Sequence, residues 1–174
     1  MKKLDQLKYA YDEYAGRILT VCIRYCRDID TAQDLMQDTF IQAYNNFDKF
    51  SNRGVGSLRA WLEKIAVNTC LQYLRKKDLL RDSKDISNLS KDENLVSEML
   101  DEKISTIPEK VLLKFIGELP NGYRTIFNLY VFEEYSHKEI ANMLGINEKS
   151  SSSQFYRAKT LLAKKIKEYE KRER

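Results

Sequence analysis

SLRAWLEKIAVNTCLQYLRKK, residues Ser57 to Lys77, carries the pattern from which the rest of the chain is read. Leu58, Trp61, Leu62, Ile65, Ala66 and Thr69 keep helical spacing and form the one apolar stripe of an amphipathic helix. Ser57 stands where an N-cap is expected. The opposite face holds Arg59, Lys64, Asn68, Gln72 and Arg75 and runs into Lys76 and Lys77, with Glu63 as the one acid. Such a face suits a phosphate backbone, with Asn68 able to hydrogen-bond a base edge. It equally suits a solvated helix whose basic end is favoured by the helix dipole.

The 174 residues allow one ordinary domain or two small ones. With 32% charged and 43% apolar residues the chain should fold, and 6 glycines and 2 prolines favour helices over a turn-rich β protein. No apolar run is long enough to span a bilayer and no signal-peptide pattern opens the chain, so no membrane insertion is expected. Three cysteines without a secretion signal point to reduced thiols in the cytoplasm. Cys22 and Cys26 share a helix face and Cys70 lies on the apolar side of its own helix, which reads as core packing rather than a metal site. Charge is unevenly spread: residues 1–77 carry net +4, residues 78–110 net −4 and residues 111–174 net +4. Two basic blocks on an acidic connector fit two modules that face nucleic acid.

In chain order, Leu4 to Arg27 reads as a helix with Leu4, Leu7, Tyr11, Tyr14, Ile18, Val21, Cys22 and Tyr25 on its stripe. Asp30 or Thr31 caps a second helix whose core stripe is Ala32, Leu35, Thr39, Ala43 and Phe47. A second line on that helix, Asp34, Gln37, Asp38, Ile41 and Asn45, is acidic with an isoleucine at its centre. It is either a polar solvent face or a docking surface for a basic partner. The loop from Lys49 to Gly56 has two glycines but neither the lysine nor the preceding strand of a phosphate-binding loop. Residues 78–107 mix acids, Lys, Ser and Asn with sparse leucines and read as a mostly flexible linker, with a short helical piece around Asn94 to Lys103.

A second helical module begins at Pro108. Val111, Leu112, Phe115, Ile116 and Leu119 form one helix, ended by Pro120-Asn121-Gly122, and Tyr123, Ile126, Phe127, Tyr130 and Val131 form the next. Ser136 with Glu139 is a capping box, Gly145 a left-handed stop and Asn147 the cap of a final long helix. Helix, glycine turn and helix at this spacing is a helix-turn-helix, a geometry that bundle hairpins also produce. The final helix buries Ser151, Phe155, Ala158, Leu162, Ile166 and Tyr169. From Lys149 to Lys167 it has six bases and no acid, as expected of a recognition helix in a major groove.

Three stretches carry a resemblance to a known family: AQDLMQDTFIQAYNNFDKF, GSLRAWLEKIAVNTCLQYLRKK, and ELPNGYRTIFNLYVFEEYSHKEIANMLGINEKSSSSQFYRAKTLLAKKI. They resemble the two conserved regions of bacterial RNA polymerase sigma factors, in the short layout of the extracytoplasmic-function (ECF) group. The resemblance implies an all-α fold of two small helical domains, residues 1–77 and 108–174, on the flexible linker 78–107. It implies that Asp34, Gln37, Asp38, Ile41 and Asn45 dock on the clamp helices of core polymerase. The loop from Phe50 to Gly56, with Arg53, would capture a flipped base of the −10 element, and Arg59, Lys64, Asn68 and Arg75 would contact the same melted strand. Lys149, Ser150, Ser152, Ser153, Tyr156, Arg157 and Lys159 would read the −35 element. Many relatives carry a valine and a basic residue where this chain has Ser151 and Ser152, which bears on the preferred −35 sequence and not on the binding mode.

The expected function is therefore promoter-specific transcription initiation in the cytoplasm. Core polymerase and promoter DNA are the expected partners, and an anti-sigma factor is a further one the group allows. No nucleophile–base pair, metal cluster or cofactor motif is visible, so the chain is read as a non-enzyme. Trp61 is assigned to core packing in preference to base stacking, and His137 to the surface. The rival reading is a stand-alone helix-turn-helix regulator, which needs neither the acidic face of the second helix nor the Asn68 helix.

Overall fold

The computed structural model describes residues 2–77, 79–81, 100 and 102–174. These are helical without a strand and divide at residue 78 into two compact units. Most of the expected linker, residues 82–99, lies outside the described residues.

The first unit is built from α1 (Lys3–Cys26), α2 (Ile29–Asn45), a short 3-10 turn (Phe47–Lys49) and α3 (Ser57–Lys76), each helix packing on the other two. Its core takes Leu7, Ala10, Ile18, Val21, Cys22 and Tyr25 from α1 and Ala32, Leu35, Met36, Thr39 and Ala43 from α2. From α3 it takes Leu62, Ala66, Val67, Thr69, Cys70, Leu71 and Leu74. The α3 face is thus rotated from the expected stripe: Val67, Leu71 and Leu74 go inside, while Leu58, Trp61 and Ile65 are half-buried. A helix between two neighbours buries a wider arc than one apolar stripe.

Leu4 and Tyr11 of the expected α1 stripe are exposed for the converse reason, lying on the outer margin of the packed arc. The cap of α2 is Asp28, whose carboxylate accepts from Thr31 N (2.9 Å) and Thr31 Oγ1 (2.7 Å), so α2 starts earlier than Asp30 or Thr31 implied. Those two bonds hold the Asp28 carboxyl below its usual range. Arg27 takes a positive φ of 64° to make the turn between α1 and α2.

The second unit contains a 3-10 turn (Leu79–Arg81), a helical turn at residues 102–104, and four helices: α4 (Glu109–Gly117), α5 (Asn121–Val131), α6 (His137–Leu144) and α7 (Glu148–Glu173). Leu100, Ile116, Leu119, Tyr123, Phe127, Ala158 and Leu162 make its core. Packing begins before residue 108, because Leu100 is 2% exposed, Ile104 packs beside it and Ile107 is buried. Lys103 Nζ also donates to Glu170 Oε2 on α7 at 2.6 Å. Sparse leucines in a polar stretch hide such a docking turn, since too few of them recur to reveal a period.

Leu79–Arg81 lies against α5, which is buried from Gly122 through Leu129. Pro120 caps α5, and Asn121 and Gly122 form its first turn instead of ending α4. Tyr130 and Val131, expected inside, are exposed at the far end of α5.

Candidate nucleic-acid interface and partner face

The side of α2 away from the core presents Asp34, Gln37, Asp38, Ile41 and Asn45, all exposed, with Ile41 at 58%. Tyr44 adds a second exposed apolar side chain beside Ile41, which the sequence reading missed, and Lys3 Nζ sits 4.7 Å from its ring centroid. An apolar centre rimmed by carboxylates and amides is the make-up of a protein contact.

The α2–α3 loop is shaped by its own side chains. Asn52 Oδ1 accepts from Gly54 N (3.0 Å) and from Ser57 Oγ (3.2 Å), while Ser57 Oγ accepts from Arg53 N (3.2 Å). Gly54 (φ 109°) and Gly56 (φ 84°) occupy the left-handed region, which explains both glycines without a phosphate. Gly56, not Ser57, is the N-cap residue of α3, because the Ser57 hydroxyl is spent on the loop.

Two pockets flank an aromatic wall. Phe50 and Trp61 lie 5.1 Å apart, Phe47 and Phe50 5.7 Å, and Phe47 and Trp61 6.0 Å between ring centroids. A pocket of about 410 Å³ holds Phe47 and Phe50 with Tyr9 and Tyr14 from α1 and Asn52, Gly54 and Gly56 from the loop. Another of about 300 Å³ holds Trp61, Lys64 and Asn68 with Gln42, Asn46 and Lys49. Trp61 is therefore a half-buried pocket wall, not a core side chain.

The structure brings Lys64 and Asn68 together and sets Phe50 in the neighbouring pocket. Arg53, Arg59 and Arg75 are exposed and line neither. Gln42, Asn46, Lys49, Tyr9 and Tyr14 come from other helices. For the amides and the lysine, the polar continuation of α2 was the only sequence signal. Gln42 Nε2 donates to Thr69 Oγ1 at 3.1 Å and fixes α2 to α3 at the rim.

In the second unit Ser136 and Glu139 form the full capping box: Ser136 N donates to Glu139 Oε2 (2.8 Å) and Glu139 N to Ser136 Oγ (3.2 Å). Donation from Ser136 N, and from Ser136 Oγ at 2.9 Å, holds the Glu139 carboxyl below its usual range. Gly145 (φ 67°) ends α6, and Asn147 Oδ1 accepts from Ser150 N at 2.7 Å to start α7. Lys149, Ser150, Ser153 and Arg157 share one shallow concavity of about 410 Å³ with Tyr123, Asn147 and Gln154. Ser152 is exposed beside it. Tyr156 is half-buried with its hydroxyl shielded from solvent, and Lys159 Nζ lies 5.2 Å from the Phe155 ring centroid. Tyr156, seven residues after Lys149, lies on nearly the same side of α7 as that lysine, whereas the 3.6-residue period turns position 159 well away from 153 and 157.

His137, expected on the surface, is half-buried. Its ring stacks on Tyr130 at 4.6 Å and 16° and meets Phe155 at 5.5 Å, and Nδ1 lies 2.9 Å from Ser151 Oγ.

A two-unit helical protein that ends in a capped helix-turn-helix with a basic second helix is a DNA-binding protein by architecture. Its first unit matches the family Sigma-70 region 2 over residues 10–79, and its second matches Sigma-70, region 4, over residues 109–162. RNA polymerase sigma factor YlaC of Bacillus subtilis is 31% identical, with 100% of this chain and 99% of the relative covered. ECF RNA polymerase sigma factor SigW of the same organism is 29% identical over 97% of this chain and 94% of the relative. SigM, also an ECF sigma factor, is 24% identical over 87% and 90%. The chain belongs to the RNA polymerase sigma factors, in the ECF group, and directs promoter-specific transcription initiation. The region 2 match over residues 10–79, most of the first unit, disfavours a stand-alone regulator.

Proposed function

We propose that the two units divide the labour of initiation among three surfaces. The acidic face of α2 docks on the clamp helices of core polymerase, Ile41 entering an apolar pocket while Asp34 and Asp38 meet basic side chains. The paired pockets around Phe50 and Trp61 hold unstacked bases of the −10 strand, with Lys64, Asn68, Arg53, Arg59 and Arg75 on its backbone and base edges. The concavity at the start of α7 reads the −35 duplex through Lys149, Ser150, Ser152, Ser153 and Arg157, with Tyr156 alongside and Lys159 on the flank. An anti-sigma factor would silence the chain by covering the α2 face. The chain works where core polymerase does, in the cytoplasm, and its part is recognition.

The observation that carries this reading is the exposure of Ile41 among Asp34, Gln37, Asp38 and Asn45 on a helix whose opposite side is buried. Replacing Asp34 and Asp38 with lysine together should abolish capture of core polymerase and leave the fold intact, since neither acid lies in the core. Pull-down of polymerase at wild-type strength by the double variant would remove the docking assignment.

A further inference from the structure

His137 is the only histidine in the chain. It is the first residue of α6, and it touches the recognition helix at two places one turn apart: Ser151, which is fully buried, and Phe155. Tyr130 from α5 stacks on the imidazole and lies 4.4 Å from Phe155, so the three rings form one cluster. Ser151 lies between Ser150 and Ser152, and Phe155 lies two residues before Arg157, so the imidazole grips the back of the helix whose front is proposed to face DNA.

We propose that His137 is a positioning residue for DNA binding: its neutral ring holds Ser151 and Phe155, and so fixes the attitude of the serine and lysine face of α7, and protonation loosens that hold. The proposal rests on the reading of α7 as the duplex-binding helix.

The charges around the ring support the direction. Glu148 on α7 favours the imidazolium, but burial against the surrounding side chains outweighs it and holds the imidazole below its ordinary value. The ring also sits at the N-terminal, positive end of α6, and Lys159 lies on the Phe155 ring, both unfavourable to a second positive charge. On its own helix Glu139 is turned to Ser136 and Lys138 is exposed, while Tyr130 faces the ring from α5. A group whose pKa is depressed in the gripped state keeps that state above the ordinary imidazole value, about 6.5, and loses it progressively as pH falls below.

The sign of the effect is decisive. A histidine that merely faced phosphates would strengthen DNA binding on protonation. A grip that loosens should weaken it, by about three- to tenfold for the loss of one oriented hydrogen bond.

The test uses the full chain and a duplex enriched from a randomised pool by the wild-type protein at pH 7.5. Affinity for that duplex is then measured from pH 7.5 to 5.5 at fixed salt. Wild-type binding should weaken by the stated factor. The His137→Asn variant, which keeps a hydrogen-bonding group near Ser151, should bind with little pH dependence, and His137→Ala should bind weakly throughout. In the same range, the single imidazole should titrate by NMR in step with ring resonances of Tyr130 and Phe155 in the DNA-free protein. Stronger or unchanged wild-type binding at pH 5.5, an equal drop in His137→Asn, or ring resonances that ignore the titration would each overturn the proposal. Failure to enrich any duplex would overturn the assignment of α7 itself, a different result from a duplex bound equally at both pH values.

Discussion

A guanidinium at 2% exposure needs its donors answered, and Arg124 has them answered. Its Nη1 donates to Gly117 O (3.1 Å) and Leu119 O (2.9 Å), two carbonyls left over at the end of α4, and Nη2 donates to Asn121 Oδ1. One side chain thus caps α4 and ties it to α5. Arg124→Ala should destabilise the second unit by about 3 kcal/mol or more, because buried carbonyls lose their partners. Arg124→Lys should recover little of it, since an ammonium cannot reproduce the planar fork. Urea denaturation followed by circular dichroism measures both. At this scale the sequence is least informative. Nothing local in GYRTIF marks its arginine as buried, and a lone histidine after a capping serine reads as a surface residue. Their burial is set by partners 3 to 18 residues away, most of them beyond the reach of a local period.

The helices were far more legible, for reasons that differ between the units. The glycine turn and the two caps around α6 and α7 are local chemistry, so Ser136, Glu139, Gly145 and Asn147 mark those boundaries directly. Asn147→Ala should accordingly cost about 1 kcal/mol of stability in the second unit, while Asn147→Asp, which keeps the acceptor, should cost little. Equal losses in the two variants, measured by denaturation, would mean that the cap is not what Asn147 supplies. Ser151 kept its place on the buried stripe of α7 because His137 answers its hydroxyl. In the first unit such punctuation misled, since α2 is capped by Asp28 and not by Asp30 or Thr31. The start of α3 was misread by one residue because Ser57, a good cap by type, is drawn into the loop by Asn52 and Arg53. Its pockets were invisible beyond Lys64, Asn68 and Phe50, since Tyr9 and Tyr14 reach them through the tertiary fold.

At the scale of the molecule, each unit has its own core, and the chain supplies a reporter for one of them. Trp61 is the sole tryptophan and sits in the first unit. Leu100→Ala removes a buried side chain from the second and should cost it about 2–5 kcal/mol. Circular dichroism should then show an earlier second-unit transition while tryptophan fluorescence keeps its wild-type midpoint. The two proposed DNA surfaces should separate in the same way. Arg157→Ala should weaken binding to a duplex upstream element and spare a single-stranded −10 oligonucleotide bound with core polymerase, and Asn68→Ala should do the reverse. The expected loss is about 1–3 kcal/mol at the affected element. If both variants lost both activities equally, the basic faces would form one unspecific surface. The two-module plan was readable because charge changes sign along the sequence. The exact seam was not, because Leu100 anchors to partners far downstream.

The closing of the second core by Ala158 and Leu162 has a consequence for the order in which a ribosome delivers this chain. Everything the first unit needs has emerged by about residue 77, so it can fold while translation continues. Leu100, Ile116, Leu119, Tyr123 and Phe127 leave the tunnel next, and they must wait for roughly 40 more residues before α7 arrives to cover them, about two to eight seconds at ordinary elongation rates. During that interval a nascent chain carries a finished first unit, the one proposed to face polymerase, and an uncovered apolar surface on one polypeptide. A message truncated before residue 151 would freeze that state, and on the proposed division of labour its product would occupy polymerase without seating it on an upstream element.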